Sequence, residues 1–282
     1  MNVAKPLMRY HGSKWKIAPW VITHFPEHNT YVEPFGGGAS VLLRKSISNN
    51  EVYNDIDNEV VALFRVLRDS KAAAELAEMV SLTPYSRVEF EMAQLPADSD
   101  IEIARRLLVR ANMAFGSGGA TYQVSGFRTY TNRPGKSLAA HWRETGEKIM
   151  VVANRLADVI IENKDAVSLI DEHARKDTLF YLDPPYLHNT RNAAPEAYKD
   201  EMTDDQHLAL LSSIKKLTKA NKGMFVLSGY DSELYDDILL NDGWRKQGRQ
   251  VSASGRKGGV VRTECLWLSP NCMPGQMDLF ST

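Results

Sequence analysis

Little in this chain supports a disulfide-stapled, metal-bound or membrane-spanning protein. It has two cysteines, Cys265 and Cys272. That is too few for a disulfide framework or a thiolate zinc site. No uncharged apolar run approaches the roughly 18 residues that a spanning helix needs. The most apolar stretch, Ile149 to Ile161, is broken by Asn154, Arg155 and Asp158. The first residues lack the apolar segment of a secretory signal, so a cytoplasmic home is expected. None of the histidines sits at metal-ligand spacing. Net charge is nearly absent too, at −1, which taken alone argues against a polyanion partner. What is present is a globular composition: 43% hydrophobic and 24% charged residues exclude a disordered or fibrous chain.

The charge is segregated along the chain. Ile103 to Arg143 holds seven Lys/Arg and no acid, Arg245 to Arg262 six and no acid, and Lys5, Arg9, Lys14 and Lys16 open the chain unopposed. Acids gather elsewhere, at Asp98 to Glu102 and Asp231 to Asp242. Such blocks can put one basic face against a polyanion despite a neutral total. The alternative is a set of solvated loops.

Hydrophobic patterning predicts short buried strands at 30–35, 51–54, 159–162, 178–182, 224–229 and 262–268. Helical spacing predicts helices from Ala39, Asn58, Met202 and Ser232. The alternation implies βαβ units around a mostly parallel sheet: an α/β, Rossmann-like fold. Residues 70–150 break the rhythm with helices near 71–80, 86–93 and 100–113. A Gly/Ser/Tyr/Arg-rich stretch from Phe115 to Ser137 follows, with the alternation of a β-hairpin. The expected organisation is a core from 1–69 and 151–270, an insertion over 70–150, and a flexible tail over 271–282.

Two features carry chemistry. Gly36-Gly37-Gly38 follows the first strand, where glycines let backbone approach a ligand. Asp55 ends the next strand, 19 residues after Gly36, where a carboxylate can accept from ribose hydroxyls. Val41 stands where a dinucleotide fingerprint needs its third glycine, so a nicotinamide oxidoreductase is disfavoured. Asp183-Pro184-Pro185-Tyr186 follows a buried strand, at the sheet edge where open α/β sheets bind ligands. Asp183 and the Pro184 carbonyl together can accept two hydrogens of an exocyclic amine, and Tyr186 offers a face to a base. That geometry suits attack by an amino group on a methyl sulfonium.

These segments resemble the Dam-type DNA adenine-N6 methyltransferases. The resemblance rests on Tyr31-Val-Glu-Pro-Phe-Gly-Gly-Gly-Ala-Ser40, Asn54-Asp55, Asp183-Pro-Pro-Tyr186, the opening Arg9-Tyr-His-Gly-Ser-Lys14, Ser228-Gly-Tyr230 and Thr263-Glu-Cys-Leu-Trp267. It covers nearly the whole chain in the family's motif order and is most like the phage and prophage members. Tyr10 stands where Trp is common and Ser13 where Gly is common. The resemblance implies a class I methyltransferase sheet with an inserted target-recognition domain, S-adenosylmethionine as cofactor and double-stranded DNA as substrate. It implies that Tyr10, Lys14, Phe35, Gly36, Gly37, Gly38, Asp55 and Asp165 surround the cofactor, with Asp183 at its edge. Asp183, Pro184, Pro185 and Tyr186 would hold a flipped-out adenine. Arg128 would read guanine and Gln123 or Asn132 adenine, with Arg110, Asn112, Arg133 and Lys136 as further DNA contacts. Methylation of cytosine N4 and an inactive DNA-binding relative are the rival readings.

Gln276-Met-Asp-Leu-Phe280 resembles the peptide that bacterial replication proteins insert into the sliding clamp. Gln276, Leu279 and Phe280 would carry that contact. A monomer is the simpler expectation.

Overall fold

A computed structural model describes residues 3–121, 126–130, 135–187, 199–255 and 258–272. Seven strands form one sheet: β1 (Thr30–Glu33), β2 (Asn50–Asn54), β3 (Val159–Glu162), β4 (Thr178–Leu182), β5 (Met224–Tyr230), β6 (Arg245–Gly255) and β7 (Gly258–Leu268). Their order is β3-β2-β1-β4-β5-β7-β6. The strands from β3 to β5 run parallel, and β7 lies antiparallel between β5 and β6. This is the Rossmann-like α/β sheet expected. β4 is buried along its whole length, as a central parallel strand covered on both faces must be.

Side chains alternate between two cores. Val32, Phe180, Leu182, Phe225, Leu227 and Trp267 pack on one face. Helices α8 (Ala166–His173), α9 (Asp204–Lys219) and α10 (Glu233–Leu239) cover it through Leu169, Leu211 and Leu239. Tyr31, Tyr53, Leu179, Tyr181 and Val226 point to the other face. There they meet α2 (Asn58–Arg68), with Leu63 and Leu67 buried. Capping matches the sequence: Asp57 accepts from Glu59 N–H at the start of α2, and Thr203 and Gln206 form a capping box on α9.

The segment 70–150 adds α3 (Ser70–Leu82), α4 (Arg87–Met92), α5 (Asp100–Met113), α6 (Leu138–Arg143) and α7 (Thr145–Leu156). It builds no separate core. Leu76, Leu107, Leu108 and Ile149 belong to the same cluster as Tyr31 and Tyr53. α7 crosses the expected boundary at 150 and leads straight into β3. It is bolted there by a buried charge cluster. Glu51 of β2 accepts from Arg155 Nη1 at 2.6 Å and Lys45 Nζ at 2.5 Å, while Arg155 Nη2 reaches the Leu42 carbonyl at 2.7 Å.

Four expectations change. Residues 39–45 form successive turns, not a helix, and Ala39 takes a left-handed φ of 51° at their start. The basic stretch from Arg245 is no loop: it is β6 and the start of β7, an antiparallel hairpin. A short helix, α1 (Ala18–Ile22), was not anticipated. Residues 271–272 are not tail, since Pro270–Cys272 form a 3-10 turn with the Cys272 thiol buried against the Phe225 carbonyl. The rest of the tail, with Gln276, Leu279 and Phe280, lies outside the described residues. So do 122–125 and 131–134, which include part of the expected hairpin. What is described there is a bridge of Phe127 to Ala114.

Candidate active site

Four neighbouring parallel strands, β3-β2-β1-β4, end on one edge of the sheet, and the cleft opens there. Its volume is about 510 Å³. Tyr10, Lys14, Phe35, Gly36, Gly37, Gly38, Asp55, Asp165, Asp183 and Pro185 all line it. Residues up to 175 positions apart meet there because the loops after the strand ends and the segment before α1 converge on that edge.

The glycine turn is shaped by two aromatic rings. A Cβ on Gly36 would stand 2.1 Å from the Tyr53 ring, and one on Gly37 2.7 Å from the Tyr10 ring. Gly37 also takes a φ of 46°, which favours glycine. The Gly37 N–H donates to Asp55 Oδ2 at 2.7 Å, and the Asp57 N–H to Oδ1 at 2.9 Å. Asp55 is thereby locked while each oxygen keeps a lone pair for a ligand. Burial pushes its carboxyl up to about 6, against the pull of those two N–H groups. Asn54, at the end of β2, does more than end a strand. It proves to tie three loops together, donating to the Pro34 and Lys164 carbonyls and accepting from the Lys164 N–H.

Asp183 stands across the cleft. Its Oδ2 pairs with Lys14 Nζ at 2.9 Å. Its Oδ1 is buried and has no hydrogen-bond partner among the described residues. A buried acceptor left open is an acceptor for something else. Burial pushes the Asp183 carboxyl up to about 6, with the Lys14 charge pulling it down and Glu264 pushing it further up. Glu33, on the cleft wall, accepts from the Tyr31 hydroxyl and the Leu42 N–H, and burial raises it to about 8. Tyr186 is buried, and Pro184 with it. The Tyr186 ring takes the Lys14 ammonium at 4.7 Å from its centroid and the edge of Tyr230 at 4.5 Å. Its hydroxyl donates to Glu264 Oε2 at 2.8 Å. The expected open stacking face of Tyr186 is thus turned to Lys14. Asp165 caps α8 through the Ser168 N–H, which aims its carboxylate by the helix start.

The expected DNA contacts fare unequally. Arg110 is 3% exposed and serves the interior. Its guanidinium bonds the Ala93 carbonyl and Glu59 Oε2, so it joins α5 to α2 and is not a DNA contact. Asn112 is likewise spent on the Leu108 and Leu7 carbonyls. Arg128 lies at the surface end of the Phe127 bridge, with Nε near the Tyr130 carbonyl, and Lys136 is exposed beside Glu144. Gln123, Asn132 and Arg133 lie outside the described residues. The basic block after 103 is largely neutralised by acids of α4 and of the first turn of α5 itself: Arg105 pairs with Glu89 and Glu102, and Arg106 with Glu102. In the second block, Lys246 sits between Asp231 and Asp236, Arg249 over Trp20, and Arg262 over Tyr230.

The model of the D12 class N6 adenine-specific DNA methyltransferases matches residues 10–253. The chain belongs to this family. It therefore methylates adenine N6 in DNA, with S-adenosylmethionine as methyl donor. It is similar to the type II methyltransferase M.CviBI of Paramecium bursaria Chlorella virus NC1A, 24% identical over 92% of this chain and 96% of that protein. A type II methyltransferase of Methanocaldococcus jannaschii, M.MjaIII, is 22% identical over 91% and 96%. A DNA adenine methylase of Vibrio cholerae is 24% identical over 90% and 92%. The order β3-β2-β1-β4-β5-β7-β6, with β7 alone reversed, is the sheet that this enzyme builds for its cofactor and substrate.

Proposed function

We propose that this D12 methyltransferase works through the cleft at the ends of β1, β2 and β4, with Asp183 as the catalytic acceptor. One observation carries the reading: Asp183, whose Oδ1 is buried with no hydrogen-bond partner among the described residues, lines the same cleft as the glycine turn and Asp55. The residues present fit S-adenosylmethionine. Gly36 to Gly38 leave room where a Cβ would collide, Asp55 offers two fixed acceptors, and Tyr10 and Phe35 supply apolar walls. Asp165 borders the same space. When bound, that cofactor supplies a methyl group on a sulfonium, a good leaving group.

Asp183 and the Pro184 carbonyl orient the target amine by accepting its two hydrogens. The nitrogen lone pair is then aimed at the methyl group. No strong base is required: positioning in a water-poor cleft lowers most of the barrier. Asp183 acts ionised, since a protonated carboxyl would donate where it must accept. Duplex DNA hides the amine, so the target adenine must leave the stack to reach Asp183. The insertion 70–150 reads the duplex, with Arg128 and Lys136 as its contacts among the described residues and Gln123, Asn132 and Arg133 beside them in sequence. The protein acts as a monomer in the cytoplasm, and Gln276, Leu279 and Phe280 dock the tail into a sliding clamp. Equal retention on purified clamp of a chain truncated after Pro274 would sink that last point.

The test is modification-sensitive sequencing of DNA from a methylation-free host expressing the wild type or Asp183→Ala. N6-methyladenine at a defined site in the wild type alone is the expected result. Methylation by the mutant would remove Asp183 from its role.

A further inference from the structure

β7 reaches the site from the far side of β5. Antiparallel pairing sets Glu264 opposite Tyr230, and the family match ends before it, at residue 253. The Glu264 carboxylate is 8% exposed and accepts the Tyr186 hydroxyl at 2.8 Å. A phenol bonded to a carboxylate is a charge-assisted contact, stronger than a bond to a neutral acceptor. It grips the ring at its far end. Tyr230, packed edge-on and itself covered by the Arg262 guanidinium, restrains the ring from a second side. The Lys14 ammonium, itself paired with Asp183, stands over the Tyr186 ring.

We propose that Glu264 is a positioning residue for the target base: it holds Tyr186 by its hydroxyl so that the ring meets the base beside Asp183. This rests on the reading that Tyr186 lines the target seat. Glu264 is a costly choice for mere packing. A second carboxylate near Asp183 opposes ionisation of the very group that must stay ionised, and Lys14 offsets it. Asp183 is faced by Lys14, Glu33, Glu264, Tyr181 and Tyr186. Of these acids, Glu264 accepts the Tyr186 hydroxyl at 2.8 Å. An anchor at the tip of the ring leaves the backbone of the Asp183–Tyr186 turn to its two prolines, and orients only the side chain.

The test uses the full-length enzyme on duplex carrying its own site, with adenine at the target position for kcat and, in a separate duplex, 2-aminopurine there for fluorescence. Tyr186→Phe and Glu264→Leu remove the same bond from opposite ends. Both are expected to lower kcat by about 10- to 100-fold, as small misplacement at a reacting centre does. Both should lower the 2-aminopurine signal change and leave cofactor affinity by calorimetry within about twofold. The double variant should be no worse than the worse single, because coupled residues are not additive. Glu264→Gln keeps an acceptor and should retain kcat within about threefold. If Glu264→Leu does not fold, Tyr186→Phe and Glu264→Gln still measure the bond. Additive losses, or a fully active Glu264→Leu beside an impaired Tyr186→Phe, would overturn the anchor alone. A fully active Tyr186→Ala would overturn the reading of Tyr186 and the anchor with it.

Discussion

Replacing Lys14 by methionine should move the pH at which this enzyme gains activity. The Lys14 ammonium lies 2.9 Å from Asp183 Oδ2 and is 5% exposed, so water screens the pair little. Burial already pushes Asp183 up to about 6 with that charge in place. An opposite charge at this range lowers a carboxyl by about 1–3 units, so its loss carries Asp183 to about 7–9. Methionine keeps the length of the side chain and removes the charge. Asp183 serves as an acceptor only when ionised, so kcat rises with pH through its pKa and is flat above it. At pH 7.5 the ionised fraction is about 97% for a pKa of 6, and between about 76% and 3% for the variant. The expected loss at that pH is therefore about 1.3- to 30-fold, and it shrinks steadily as pH is raised to about 9.5. The assay is methyl transfer from tritiated cofactor at saturating DNA and cofactor, from pH 5.5 to 9.5, beside Lys14→Arg, which should keep the wild-type limb. A uniform loss at every pH, with the acid limb unmoved, would refute the electrostatic argument and leave Lys14 a binding residue only.

Other substitutions separate structural from functional residues. Gly36→Ala puts a Cβ into the Tyr53 ring and should cost about 1–3 kcal/mol in urea denaturation, with cofactor binding weakened in calorimetry. Wild-type stability would mean that the ring yields. Arg110→Met should cost about 1.5–3 kcal/mol of stability and leave the salt dependence of DNA binding unchanged. Arg128→Glu should do the reverse: near-normal stability, with weaker binding or relaxed site choice in sequencing. Arg155→Met should cost about 3 kcal/mol, the lower end for breaking a buried pair, because Lys45 still faces Glu51. A melting temperature within a degree of wild type would contradict it.

The fold was legible where the signal was local. Buried strands such as Thr178–Leu182 read as apolar runs because both faces are covered. The turns at 39–45 were missed because a helical pattern of apolar residues also fits successive turns. β6 was missed because a basic, Gly- and Ser-rich strand carries no hydrophobic period; it is held by its ladder with β7. The basic block of 103–143 misled because charge counted along the chain ignores partners from other helices, such as Glu59 for Arg110.

The sequence alone determined the chemistry on offer: a glycine turn, a ribose-range carboxylate and Asp-Pro-Pro-Tyr, each after a strand, in the order of the D12 class. Those are local properties of residue type and spacing. Only the tertiary structure decided how they work together. It placed Lys14 on Asp183, took Arg110 out of the DNA-facing set, and joined Tyr186 to Glu264 across 78 positions of chain. Such contacts depend on which strand ends lie side by side, and strand order is set by packing of the whole sheet rather than by any one segment.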